Sequence, residues 1–299
     1  MRIRLALSTI FRWLGCGCFT GGYPRRNITV APEPQVTTVS FFGLDGSGKS
    51  TVVDRIVGNP MQRNTTTWGF NSNTTRIDNK ALRTFDVGGH ARIRGIWQNY
   101  YAEAHALCFV LDGSDPARFA EAKKCLNDMC RNKLNQGKPL LVYINKAEQM
   151  TKPQLAAANE ALGVHELLTL VGGGSTAEPG SPAVPPIVLV HAISAAKVGK
   201  RGKGVDRELI AGITELLEAV ASNWDPISAR VRRDTEQQKM QYAIELEQRR
   251  TRVAANSAQQ SSSGPNSPIL PPKSAAGAGK RASTAADSMA IVQKTFQLN

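Results

Sequence analysis

The chain has 299 residues, 41% of them hydrophobic and 20% charged, with a formal net charge of +13. That length holds one domain of ordinary size with appendages, and the apolar share is enough for a packed core. A basic excess of this size points to nucleic acid, an anionic membrane or an acidic partner. No nucleic-acid-binding motif and no interleaved basic-aromatic run is present, so nucleic acid is set aside as the expected partner.

In chain order, residues 1–26 carry Arg2, Arg4, Arg12, Arg25 and Arg26 and no acidic residue, beside an apolar stretch that ends in LGCGCF. The apolar run before Arg12 is short for a signal peptide and much too short for a membrane span. Arg2 excludes N-myristoylation, and Cys16 and Cys18 are expected to be S-palmitoylated, anchoring the chain to a membrane surface. The plainer alternative is an arm packed on the domain. The five cysteines form no disulfide framework and no metal-ligand spacing, which fits a reducing, cytosolic compartment.

From residue 36 the pattern alternates. Short β-rich runs fall at 36–42, 81–86, 107–112, 140–145 and 187–191, with helical stretches at 49–57, 91–103, 116–131, 153–162 and 205–221. This alternation predicts a three-layer α/β domain with a mostly parallel sheet and helices on both faces. Residues 74–83 have no helical period and predict an added strand or hairpin. A Gly-Pro-Ser-rich loop lies at 172–186, and KVGKRGKG at 197–204 reads as a solvated turn. The expected domains are an anchoring arm at 1–34, an α/β domain at 35–222, a polar helix at 223–254 and a disordered, low-complexity tail at 255–299. Asp225 and Pro226 suit the start of that helix, and Ile227, Val231, Met240, Ala243 and Ile244 form a narrow apolar stripe on it.

Gly43-Leu44-Asp45-Gly46-Ser47-Gly48-Lys49-Ser50 fits G-x-x-x-x-G-K-[ST] between an apolar strand and a helix that begins with Thr51. Glycines let backbone N–H groups turn inward around phosphates, and the helix start adds its positive dipole end. Lys49 would reach the β- and γ-phosphates, and the Ser50 hydroxyl would ligate Mg²⁺. Asp86-Val87-Gly88-Gly89 would place a carboxylate near Mg²⁺ through water and an N–H of Gly89 near the γ-phosphate. Asn145 and Lys146 at a strand end, followed by Glu148, suit a loop that reads guanine. There Glu148 is one methylene longer than the aspartate expected. The Ser194 and Ala195 amides would support guanine O6. Together these motifs predict a domain that binds GTP or GDP with Mg²⁺.

The sequence is identified by resemblance as a member of the ARF-like small GTPases. GLDGSGKS resembles the branch's phosphate loop, FDVGGH its second switch, and TTWGFN at 66–71 its first switch. RIRGIWQNYYAEA at 92–104 and NWDPISARVRRDTEQQ at 223–238 resemble subfamily thirteen, the ciliary branch. The resemblance implies a P-loop small GTPase fold, with the Thr67 hydroxyl on Mg²⁺ and its N–H on the γ-phosphate. It also implies palmitoylated N-terminal cysteines and a place on the cytoplasmic face of a ciliary or flagellar membrane. The implied partner is another ARF-like GTPase, for which the GTP form acts as exchange factor. Its docking surface would fall on residues 92–101 and 224–250. An Arg-Val-x-Pro targeting signal found in some relatives is absent.

His90 stands where a GTPase of this kind uses glutamine to position the attacking water. A neutral imidazole has one donor and one acceptor, but they point apart and do not cradle one water. Slow hydrolysis is therefore expected, as the resemblance to subfamily thirteen also implies. A competing reading makes His90 a general base. Asp45 is expected to add negative charge near the γ-phosphate, and Tyr100 and Tyr101, on adjacent faces, are not expected to be buried alike. Two alternatives stay open for the whole chain: a conventional cycling GTPase of membrane trafficking, and a nucleotide-poor scaffold suggested by Glu148.

Overall fold

The computed structural model describes residues 35–60, 66–172, 185–196 and 205–262. Cys16, Cys18, nearly all of the 172–186 loop, the 197–204 turn and the chain beyond 262 lie outside these residues.

Six strands form one sheet: β1 (Val36–Phe42), β2 (Phe70–Ile77), β3 (Lys80–Val87), β4 (Ala106–Asp112), β5 (Leu140–Asn145) and β6 (Val188–Ala192), in the order β2-β3-β1-β4-β5-β6. All neighbours are parallel except β2 and β3. Those two form the hairpin predicted before Asp86, though β2 starts at Phe70 rather than near residue 74. Asp78 and Asn79 turn it with φ of 46° and 64°, the left-handed values that short hairpin loops require.

The central strands are buried on both faces because helices cover both. In β4, Leu107, Phe109 and Leu111 face α2 (Phe119–Arg131), α3 (Lys152–Leu162) and α4 (Val164–Gly172). Ala106, Cys108 and Val110 face α1 (Lys49–Val57) and α5 (Arg207–Ser222). Helix α4 had no counterpart in the sequence expectations. It follows Gly163, whose φ of 63° ends α3, and buries Leu167 and Val171, one turn apart.

The stretch expected as a helix at 91–103 is instead a 3-10 segment, Arg94–Tyr100, closed by turns. Its threefold period brings Trp97 and Tyr100 to the same side, and Tyr101 turns inward just past its end. Trp97 and Tyr101 pack on Phe42, whereas Tyr100 packs on Phe70 and Phe85. Both tyrosines are buried, though not alike: they enter two different aromatic groups.

The last helix, α6 (Trp224–Ser262), begins one residue after α5 ends and runs past the expected limit at 254. Its apolar stripe divides. Ile227 and Val231 are buried, while Met240 and Ile244 are exposed. Trp224 stacks on His105 with ring planes 4° apart. The Arg230 guanidinium donates to the carbonyls of Gln136 and Lys133. Next to it, the buried Lys138 ammonium donates to the Tyr101 carbonyl at 2.5 Å, and burial pushes that ammonium down to about 7. The first turns of α6 are thus part of the domain.

Thr38 donates its backbone N–H to Nδ1 of His105. Burial, with Lys138 and Arg232 adding repulsion, pushes the His105 imidazole from its usual 6.5 down to about 4. The unfolded chain therefore takes up the proton first. This contribution to stability is complete above about pH 6.5 and is lost as pH falls toward 4. Urea unfolding at pH 7, 6 and 5 should show stability falling by about 1 kcal/mol per pH unit more in the native chain than in His105→Gln. Parallel curves for the two would remove His105 as the cause.

Candidate functional site

Four loops meet at the carboxyl edge of the parallel strands, where open α/β sheets form their clefts. They are the loop of residues 43–48 after β1, Gly88–His90 after β3, Lys146–Glu148 after β5 and Ile193–Ala196 after β6. The side chain of Asn145, at the end of β5, ties three of them. Its Nδ2 donates to the Ser47 carbonyl at 2.9 Å, and its Oδ1 accepts from the Ala195 N–H at 3.1 Å. Gly48, at φ 87°, has to be glycine here, because a Cβ would collide with that Asn145 amide.

The cleft of about 640 Å³ takes in Asp45, Gly46, Gly48, Lys49, Ser50 and Thr51 from the first loop and helix. Thr67, Asp86, Gly89 and Lys146 complete the set of expected residues that line it. Ser47, Asn145, Ser194 and Ala195 stand behind the wall, holding loops: the Ser47 hydroxyl donates to Leu44 O, and the Ser194 N–H donates to Asp206. Glu148 is exposed and outside the cleft. Sequence reasoning missed the polar residues Asn71, Ser72 and Asn73 of edge strand β2, together with Asp54 and Asn59. The polar run NSN in a strand at the sheet edge was the available signal.

The buried charges of the cleft balance one another only in part. Lys49 is buried, donates to Leu44 O at 2.8 Å, and is pushed by burial down to about 8 against the pull of Asp86 and Asp45. An anion placed before it would reverse that cost. A Cβ at Gly89 would run into Gly43 O and crowd the Lys49 ammonium, so only glycine lets this loop approach the phosphate loop. Ser50 donates to Asp86 Oδ2 at 2.6 Å and lies 3.0 Å from the Thr67 hydroxyl. Burial raises the Asp86 carboxyl, with the Ser50 hydrogen bond opposing. Its Oδ1 is buried with no hydrogen-bond partner among the described residues. Two hydroxyls and an incompletely satisfied carboxylate are the oxygen donors a small hard cation such as Mg²⁺ takes. Among the described residues no three His, Cys, Asp or Glu side chains gather as an all-protein metal site.

Asp45 lines the cleft as a paired carboxylate. Arg118 donates to its Oδ1 at 2.8 Å and Arg94 lies 3.5 Å from the same oxygen, while Glu121 accepts from both arginines. The Arg118 hydrogen bond, above all, holds the Asp45 carboxyl below its usual range. Two guanidiniums therefore offset the charge expected to face the phosphate. Arg94 also donates Nε to Gly89 O at 2.7 Å, which fixes the peptide leading into His90. His90 is absent from the cleft wall. Its Nδ1 accepts the Arg92 N–H at 3.3 Å, so in the neutral ring Nε2 carries the proton and donates. A general-base role for Nδ1 would require that contact to break.

A parallel sheet whose first strand feeds a phosphate loop, with a hydroxyl-carboxylate group opposite and an Asn-Lys loop at the far end, defines a guanine-nucleotide switch domain. The ADP-ribosylation factor family profile matches residues 30–173. ADP-ribosylation factor-like protein 1 of Saccharomyces cerevisiae is 34% identical over 129 residues, 43% of this chain and 70% of its own. The small COPII coat GTPase SAR1 of Giardia intestinalis is 29% identical over 138 residues, 46% of this chain and 72% of its own. ADP-ribosylation factor-like protein 13B of Chlamydomonas reinhardtii is 36% identical over 127 residues; the match takes in 42% of this chain and only 24% of that protein's length. The chain belongs to the ADP-ribosylation factor family of GTP-binding switches.

Asn145→Ala removes both ties between the loops at once and leaves a buried N–H and carbonyl without partners. The expected cost is about 2–3 kcal/mol, seen as a Tm lower by about 4–10 °C in thermal unfolding of the nucleotide-free chain. A Tm equal to that of the native chain would show that the loops hold one another without this amide.

Proposed function

We propose that this chain is a slow-hydrolysing, GTP-loaded switch held at a membrane, whose GTP form is an exchange factor for a second ARF-like GTPase. The observation that carries the slow-hydrolysis part is the contrast within one loop. Gly89 stands in the cleft beside Lys49, while His90, the next residue, stands outside it with Nδ1 occupied.

On this reading Lys49 and the inward N–H groups of the phosphate loop hold the β- and γ-phosphates. Ser50 and Thr67 would hold Mg²⁺ directly and Asp86 through water. Bound Mg²⁺ supplies charge neutralisation on the phosphate oxygens. Gly89 registers the γ-phosphate through its N–H. Lys146, at φ 64° and paired with Asp112 at 2.5 Å, flanks the base end, whereas the Ala195 N–H is given to Asn145 and would have to leave it to meet guanine O6. Glu148 would have to swing in from solvent to meet the base. Nothing in the loop cradles a water in line with the leaving oxygen, which leaves positioning, a large part of phosphoryl-transfer catalysis, unsupplied.

The exchange reading is supported by what α6 offers. Its first turns are fixed to the domain next to the 94–100 segment, and Gln238 reaches Gln98 O at 3.5 Å. Beyond them Met240, Tyr242 and Ile244 are exposed. Within 92–101 the exposed positions are Arg92, Gly95, Gln98 and Asn99, whereas Trp97, Tyr100 and Tyr101 are core residues and withdrawn from the expected surface. The ciliary or flagellar setting, handling of lipidated cargo and acylation of Cys16 and Cys18 follow from the likeness to subfamily thirteen. No described helix is long and apolar enough to cross a membrane.

Single-turnover hydrolysis of Mg²⁺-GTP should be slow in the native chain and about tenfold or more faster in His90→Gln. Equal rates would return the chain to the ordinary cycling class. Release of a fluorescent GDP analogue from candidate ARF-like GTPases should accelerate only when this chain carries GTP. No acceleration with any ARF-like partner would sink the exchange role.

A further inference from the structure

Trp68 is 66% exposed, an unusual place for the largest apolar side chain in a small domain. It directly follows Thr67, the residue that would meet the γ-phosphate and Mg²⁺. Its indole packs on the imidazole of His90, with ring centroids 5.3 Å apart and planes inclined at 40°. The backbones beneath are pinned together. Gly88 donates its N–H to Gly69 O at 2.9 Å, and a Cβ at Gly88 would collide with Thr67 O. The two segments are so close that the ring of one loop must meet the ring of the other.

His90 is therefore held from three sides. Arg94 fixes the Gly89 carbonyl, the Arg92 N–H occupies Nδ1, and Trp68 covers a face of the ring. All three constraints keep the imidazole out of the cleft that Gly89 enters. Trp68 is the only one of these that belongs to the other loop and does not pass through the backbone of His90's own loop.

We propose that Trp68 is a positioning residue that parks His90 against the first switch, so that slow hydrolysis belongs to the Trp68–His90 pair rather than to the histidine alone. This rests on the GTP-switch reading above. Hydrolysis adds a water oxygen to the γ-phosphorus, breaks its bond to the β–γ bridging oxygen, and yields GDP, phosphate and a proton. A parked imidazole contributes nothing to orienting that water. Released from Trp68, the ring can turn into the cleft and present a nitrogen to the water.

The test uses the full chain. Binding of a fluorescent GTP analogue is measured first for the native protein and for Trp68→Ala, Trp68→Phe, His90→Ala and the Trp68→Ala/His90→Ala double variant. Single-turnover hydrolysis follows. Trp68→Ala should hydrolyse about two- to tenfold faster, the population factor one aromatic pair can hold. Trp68→Phe should keep the native rate, and the gain should vanish in the double variant. Trp68 is solvent-facing, and an unchanged Tm confirms that the variants fold. A Trp68→Ala rate at or below native, with GTP still bound, overturns the proposal alone. The same gain in the double variant also overturns it, since His90 would then not be what Trp68 restrains. Failure of the native chain to bind the analogue overturns the GTP reading and this inference with it.

Discussion

The Asn145 side chain sits where three loops must agree. Its amide gives a hydrogen bond to the phosphate loop and takes one from the loop after β6, and it stands at the end of the strand that carries Lys146. A buried amide with both ends satisfied is worth far more than one that is half-satisfied, because the unpaired group would bear its full desolvation cost. The loops are thereby kept in one arrangement by a group too short to allow others. Gly48 is the complement of this constraint, since a side chain there would displace the amide.

Around that fixed frame the site holds charge under tension. Lys49 and Asp86 are both buried, and burial moves each toward its neutral form. Their mutual attraction only partly offsets the loss of water, so the cleft favours ligands that bring an anion to Lys49 and a cation to Asp86. The Asp45-Arg118-Arg94-Glu121 group is different in kind. It is half-exposed and internally balanced, and its role is geometric: it joins the phosphate loop, α2 and the Gly89 peptide. A partly exposed ion network adds modest stability but can still fix an orientation.

The C-terminal helix shows how one regular element can serve two roles along its length. The first turns, about two, bury Ile227 and Val231 and use Arg230 to satisfy carbonyls of the α2–β5 connection, while Met240, Tyr242, Ile244 and Val253 beyond them are exposed. Lys138 donates to the end of the segment that follows the second switch and lies next to Asp234 of α6. A movement of that segment would be felt at the root of the helix.

The strand-helix alternation, the phosphate loop, the DVGG turn and the Asn-Lys pair were legible in the sequence, because each depends on local chemistry: hydrophobic period, glycine backbone freedom, and a hydroxyl or carboxylate at fixed spacing. Five strands fell within a residue or so of their places for the same reason. What the sequence could not give depends on contacts across the chain. The 94–100 segment tightens to a 3-10 turn because Trp97 and Tyr101 pack on Phe42 while Tyr100 packs on Phe70 and Phe85, and its helical composition does not reveal that. Asp45 is paired by Arg118, 73 positions away, a partner that no local pattern announces. His90 was recognisable as a histidine in place of glutamine. Only the tertiary structure, by laying one switch against the other, decided which way its ring faces and which of its nitrogens is spoken for.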